Sequence, residues 1–261
     1  MLKFGPANAK LQRLESITGR KVWQFSLLSG HSCPFAHACL SKAVEIDGKL
    51  RIKDGPHTEF RCFSASEEAI FTTLYKRNKH NFDLLKQTKN QYKLISESLP
   101  CAAGIVRLHV SGDMYSQSYF DSWCKVATDH PNIHFYGYTK SINYWLSAKQ
   151  RNLIPNNLIL TASFGGRQDN LIKEHNLRHC AVIADVETCQ NIQKLKSYNV
   201  VPSGVYEGYP IDHTDEHACL TEHKDTNFAL LIHAIQPAKS EASRALEVLG
   251  GKNGISSYNR K

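Results

Sequence analysis

A chain of 261 residues can bury one large core, and 41% hydrophobic with 21% charged residues is the composition of a globular protein. No apolar run approaches the roughly 18 residues that span a bilayer, and the opening MLKFGPANAKLQRLES has no apolar signal core, so membrane insertion and export are not expected and a cytoplasmic setting is. The formal net charge of +8 favours a polyanionic partner, nucleic acid or nucleotide, although the excess is spread along the chain.

In chain order, a short helix is expected over Ala9–Ile17, ended by Thr18-Gly19. The apolar run Val22–Leu28 reads as the first strand. It stops at Ser29-Gly30 and enters a loop holding His31, Cys33, His37 and Cys39. A hairpin over Val44–Ile52, turned by Asp47-Gly48, follows. Cys62 precedes a helix expected from Ala65 to Tyr75 with Ser64 as its N-cap, and a second helix is expected over Asn81–Leu99. Strands and helices then alternate. The strands are Ile105–Val110, Ile133–Tyr138, Leu158–Ala162, Cys180–Ala184 and Phe228–His233, with one more read over Val200–Val205. The helices are Gln117–Asp129, Asn143–Gln150, Asp169–His175, Glu187–Tyr198 and Ser240–Leu249.

Short apolar strands alternating with helices of 10–15 residues indicate βαβ units. The fold class expected is therefore α/β, a (β/α) barrel or partial barrel with about six or seven mainly parallel strands. Residues 1–250 read as one domain, residues 31–64 as a cysteine-bearing insertion after the first strand, and residues 251–261 as a flexible basic tail. No GxGxxG follows the first strand, which weakens a dinucleotide-binding reading.

In such folds the functional groups gather at the C-terminal ends of the strands. Ser111, Gly112 and Asp113 follow one strand and Lys140 the next. Ser163 and Arg167 follow another, and Asp185 the one after. Asp113 is a candidate acid or base, or else a helix cap. Lys140 is a candidate anion ligand or a solvated lysine. Gly165-Gly166-Arg167 lets backbone approach a ligand, with Arg167 as an anion fork. The segment IDHTDEHAC carries His213, Asp215 and His217; the two histidines share a face if helical and are candidates for metal or substrate.

Of eight cysteines, Cys33, Cys39 and Cys62 stand out, since a cytoplasmic setting favours ligands or buried thiols over disulfides. The spacing is not that of a zinc finger. With His31 as fourth ligand the trio suits Zn; without it, three soft thiolates suit a [4Fe-4S] cluster with one open iron. Three buried or free thiols are the plain alternative.

A cluster loop directly after the first strand of a partial barrel resembles the radical S-adenosylmethionine superfamily, although the usual CxxxCxxC spacing is absent. The resemblance implies a [4Fe-4S] cluster and S-adenosylmethionine as cofactors, with Ser111, Gly112, Asp113 and Ser163 facing the latter. Nearly the whole chain is similar to the bacteriophage gene product 88 family, through FGPANAK, SGHSCPFAHAC, FRCFSAS, RLHVSGDMYSQSYFDSW, FYGYTKS, LTASFGGRQDNLI, IDHTDEHA and FALLIHAIQP. That resemblance implies a phage origin and expression in a host bacterial cytoplasm.

Three functions follow as expectations. The first is an iron–sulfur, radical S-adenosylmethionine-like enzyme modifying a nucleic acid base or nucleotide, with Arg167, Lys140 and the His213–His217 loop toward the substrate. The second is a barrel transglycosylase or base-exchange enzyme acting on DNA or RNA, with Asp113 or Asp185 as nucleophile and base and zinc as a staple. The third is a non-catalytic nucleic-acid-binding phage protein.

Overall fold

A computed structural model describes residues 1–197, 205–206, 209–212 and 214–250. A short edge strand β1 (Gly5–Pro6) leads into α1 (Ala9–Thr18), which Asn8 caps by accepting the Leu11 amide at 3.0 Å. Leu11 and Leu14, three apart on this helix, are fully buried. Strand β2 (Val22–Gln24) follows, shorter than the expected run to Leu28, although backbone pairing with the β5 side goes on beyond it, with the Phe25 amide donating to Arg107 O at 2.9 Å.

The insertion holds an antiparallel hairpin, β3 (Ser41–Ile46) and β4 (Lys49–Asp54), turned at Asp47-Gly48 where both residues take positive φ. Helix α2 (Phe63–Ile70) starts from Cys62, not Ser64, whose hydroxyl instead donates to Val110 O at 2.8 Å. The single helix expected to Tyr75 breaks at the extended residue Phe71, and α3 (Thr72–Gln87) begins beyond it. The helix expected over Asn81–Leu99 is likewise interrupted. Asn90 accepts the Lys93 amide and so starts α4 (Gln91–Ser98) afresh, a local side-chain cap outcompeting the continuous apolar spacing.

The remaining elements alternate as expected: β5 (Ile105–Leu108), α5 (Gln117–Asp129), β6 (His134–Thr139), α6 (Ile142–Gln150), β7 (Leu158–Ser163), α7 (Asp169–Glu174), β8 (His179–Ile183) and α8 (Val186–Ser197). A two-stranded ribbon, β9 (Val205–Tyr206) and β10 (Tyr209–Pro210), leads to α9 (Glu216–Cys219) and a 3-10 turn at Thr221–His223. Strand β11 (Phe228–Leu231) and α10 (Glu241–Val248) complete the described chain. The strand read over Val200–Val205 lies largely outside the described residues, as does the 251–261 tail.

The main sheet has seven strands in the order β1-β2-β5-β6-β7-β8-β11, antiparallel only between β1 and β2. Its six parallel strands therefore run in strict sequence order. The sheet does not close, which corrects the barrel expectation to an open, mostly parallel α/β sheet. Six parallel strands fall short of the roughly eight that close around a side-chain-filled interior, and β1 and β11 remain as edges.

Strand residues alternate between two cores. Val106, Leu108, Phe135, Leu158 and Leu160 face helices α3 to α6, meeting the fully buried Tyr119, Phe120 and Trp123. Ile105, Tyr136, Ile159, Cys180 and Phe228 face the other way, against Leu11 and Leu14 of α1 and Ala218 and Cys219 of α9. Burying each such aliphatic or aromatic side chain stabilises the fold by about 1.5–3 kcal/mol. Among the described residues no helix is long and apolar enough to cross a membrane.

Candidate functional site at the C-terminal edge of the sheet

The cysteine insertion lies across the C-terminal ends of the parallel strands and is fastened there by backbone. The amides of His37 and Ala38 donate to Gly165 O at 3.2 and 2.9 Å, and the Arg167 amide donates to Phe35 O at 2.8 Å. Ala36 and Gly166 form an antiparallel bridge. The loop carrying Cys33 and Cys39 is thus an extra strand-like layer on the end of β7. Cys62 is held from two other strands. The Arg61 amide before it donates to the buried Gln236 side chain at 2.7 Å, after β11, and Ser64 ties α2 to the end of β5.

This brings the three thiols into one electrostatic neighbourhood. Burial pushes the Cys33 thiol well up from its ordinary value, and the negative charges of Asp113, Cys62 and Cys39 push it further. The Gly30 amide, 3.3 Å from Cys33 Sγ, opposes this. Burial and then Cys39 raise Cys62 to about 12, opposed by the amides of Ala65 and Ser64 at the start of α2. Each of these two sulfurs therefore accepts backbone N–H groups, the support a thiolate ligand needs. Among the described residues no three His, Cys, Asp or Glu side chains are arranged to hold a metal ion. His31 Nε2 lies 3.2 Å from Ala43 O, so that ring nitrogen is engaged by backbone.

The turn after β5 abuts this loop. Gly112 has φ +84, and a Cβ there would collide with the Ser32 hydroxyl and stand 2.8 Å from Leu27 Cβ, so only glycine fits. The Asp113 amide donates to Ser32 Oγ at 3.3 Å. Asp113 is buried, and its carboxylate accepts from Met114 N and Thr139 Oγ1, both at 2.7 Å, and Lys140 N at 2.8 Å. Lys140 Nζ donates to Ser163 Oγ at 2.7 Å and Phe164 O at 2.6 Å. Asp113, Lys140 and Ser163 thus form one continuous brace across β5, β6 and β7. Ser111 joins a second brace: its Oγ lies 2.7 Å from Glu68 Oε1, and Glu68 also accepts the Ser29 amide and Asn78 Nδ2.

The family comparison can now be set beside this geometry. Residues 2–247 match the model of the family described as gene product 88. The chain belongs to the gene product 88 family. No curated protein and no solved structure matches it.

In this gene product 88 protein the remaining expected site residues are dispersed. Arg167 projects from the same edge and lines a pocket that Cys33 also reaches. Asp185 accepts the Thr188 amide at 2.7 Å and so serves the start of α8. Asp215 lies on the α1/α9 side of the sheet, fully buried, against Lys10 and Arg107. His217 stacks on His223 with centroids 4.4 Å apart, and its amide donates to Asp212 Oδ2 at 2.9 Å. His213 lies outside the described residues. The helix here covers only Glu216–Cys219, too short to give positions 213 and 217 a common helical face. Sequence reasoning missed Glu68, Lys42 and Lys86. Glu68 lies early in α2, where an acid is ordinarily solvated, so its place in the sequence gave no hint that it faces inward.

Proposed function

We propose that this gene product 88 protein is a phage-encoded iron–sulfur enzyme of the radical S-adenosylmethionine type, acting on a nucleic acid base or nucleotide in the host bacterial cytoplasm. One observation carries the reading: three cysteines from two separated segments share one electrostatic neighbourhood at the C-terminal edge of six parallel strands in sequence order. That is the edge where open α/β sheets bind ligands.

The donor type supports this reading: three soft thiolates without a fourth protein ligand suit a four-iron cluster, in which each thiolate takes a different iron. Cys33, Cys39 and Cys62 would hold it, leaving one iron without a protein sulfur. Bound there, such a cluster would supply the reducing electron for S-adenosylmethionine-dependent radical chemistry.

The chain's own residues orient and shield. Gly112 and Asp113 fix the Cys33 loop from the β5 side, and Gly165 and Gly166 fix it from the β7 side. Lys140 keeps Ser163 and the Phe164 carbonyl in place beside it. Arg167 is exposed at the pocket mouth and free to meet an anionic substrate. A nucleophilic role for Asp113 draws less support, because both its oxygens already accept hydrogen bonds from the fold.

The test is anaerobic reconstitution with iron and sulfide. The wild-type chain is expected to bind about four irons. Cys33→Ala, Cys39→Ala and Cys62→Ala should each lose most of the iron, whereas Cys101→Ala, at an exposed thiol, should keep it. A colourless wild-type protein, or equal loss in Cys101→Ala, would sink the proposal.

A further inference from the structure

Beside Cys33 the surface opens into a pocket of about 330 Å³, bounded by the cysteine loop, α3 and the turn after β5. Three cations line it: Lys42 from β3, Lys86 from the last turn of α3 and Arg167 from the loop after β7. No Asp or Glu is in the lining. The three come from elements far apart in sequence, so the fold, not a local basic run, gathers them.

None of the three has an acidic partner among the described residues. Nearby, by contrast, Lys79 pairs with Asp83 and Arg61 with Asp54. Lys86 Nζ stands 5.5 Å from the centroid of the Tyr115 ring, which already stacks on Tyr119 with centroids 4.5 Å apart. Tyr115 is therefore a fixed wall that aims the lysine.

Three unpaired cations lining one concave, acid-free pocket make an anion site, and the size admits a phosphate with the sugar that bears it. We propose that Lys42, Lys86 and Arg167 seat the phosphate of a nucleotide, either free or within a nucleic acid strand. The arginine supplies the planar fork and the lysines supply point charges. The phosphate seat stands on this geometry alone. Only the choice of a nucleotide among phosphate esters rests on the function proposed above.

Calorimetric titration of the full chain, reduced and free of metal, separates the two. The probes are inorganic phosphate, the four deoxynucleoside 5′-monophosphates, the matching nucleosides and a short oligothymidylate. At least one monophosphate is expected to bind about tenfold or more tightly than its nucleoside, and Lys86→Gln or Arg167→Gln should each weaken it about tenfold. Lys149→Gln, at the end of α6 that lies toward the opposite edge of the sheet, should leave binding unchanged. Tighter binding of the monophosphate than of the oligonucleotide assigns the seat to a free nucleotide; the reverse assigns it to a strand. The proposal is overturned if phosphates and nucleosides bind alike, if no phosphate binds, or if Lys149→Gln weakens binding as much as the pocket variants do. Iron loading of the same preparations, measured separately, tells this failure from failure of the cluster reading.

Discussion

Two buried aspartates, one on the α1/α9 side of the sheet and one at its C-terminal edge, are satisfied in opposite ways. Asp215 is fully buried in the left-handed region at φ 62 and meets two cations: Lys10 Nζ at 2.7 Å and Arg107 Nε at 2.9 Å. The hydroxyls of Tyr136 and Tyr138 also donate to it, both at 3.1 Å. Burial alone would push its pKa up, but Arg107 and Lys10 overcome that and hold the carboxyl well below the usual range. Asp113 receives only two backbone amides and one hydroxyl, and burial pushes it up despite them. Ion pairing makes the first a permanent charge that locks α1 and α9 to β5 and β6. Neutral donors leave the second poised near the cysteine loop, where its charge is felt by Cys33.

The largest break in this contrast is Asp215→Ala. It strands Arg107 in a buried site, and removing one partner of such a pair costs about 3–5 kcal/mol. Urea unfolding should show that loss as a lower midpoint with little change in slope. Asp113→Asn should cost less, about 1–3 kcal/mol, because the new amide cannot accept from both the Thr139 hydroxyl and the Lys140 amide.

The pH dependence of unfolding sharpens the same comparison. Asp215, depressed in the fold, contributes stability that is present above its unfolded pKa of about 3.9 and is lost as pH falls through the folded value. Asp113, raised in the fold, binds its proton earlier in the native state, so its contribution becomes more favourable as pH falls toward and through its folded value, above about 3.9. Asp113→Asn should therefore steepen the acid-side loss of stability, and unfolding measured between pH 6 and 4 checks the sign. The smallest effect belongs to the exposed pair Lys93–Glu97, 3.7 Å apart. Lys93→Ala is expected to shift stability by at most about 0.5 kcal/mol.

Much of the fold was legible in the chain because its βαβ rhythm is carried by short apolar strands such as Ile105–Leu108 and Leu158–Ser163. Openness was not legible: closure depends on strand number and edge pairing, and the two-residue β1 leaves no periodic trace. The helix break at Phe71 escaped notice because an aromatic residue in an apolar run gives no stop signal. The residues that follow each parallel strand lie at one edge of the sheet, as its parallel order requires. Their duties were not visible, since whether Lys140 meets solvent or the Phe164 carbonyl is decided by the neighbouring loop. The pocket cations were missed for a similar reason: Lys42 and Lys86 lie on separate elements that only the folded chain brings to one pocket.

The hairpin β3–β4 changes how the cysteine interval should be measured. Fourteen of the 22 residues between Cys39 and Cys62 form it, leaving eight. Its base is pinched shut where the Gly55 amide donates to Leu40 O at 2.6 Å, so those fourteen residues add contour length without adding separation. Distance along the chain is thus a poor ruler for this motif. The interval behaves as an elastic one, and its length can vary at the Asp47-Gly48 tip without moving either thiol. A search for chains built on the same plan should accordingly fix the two anchored ends and let the middle float.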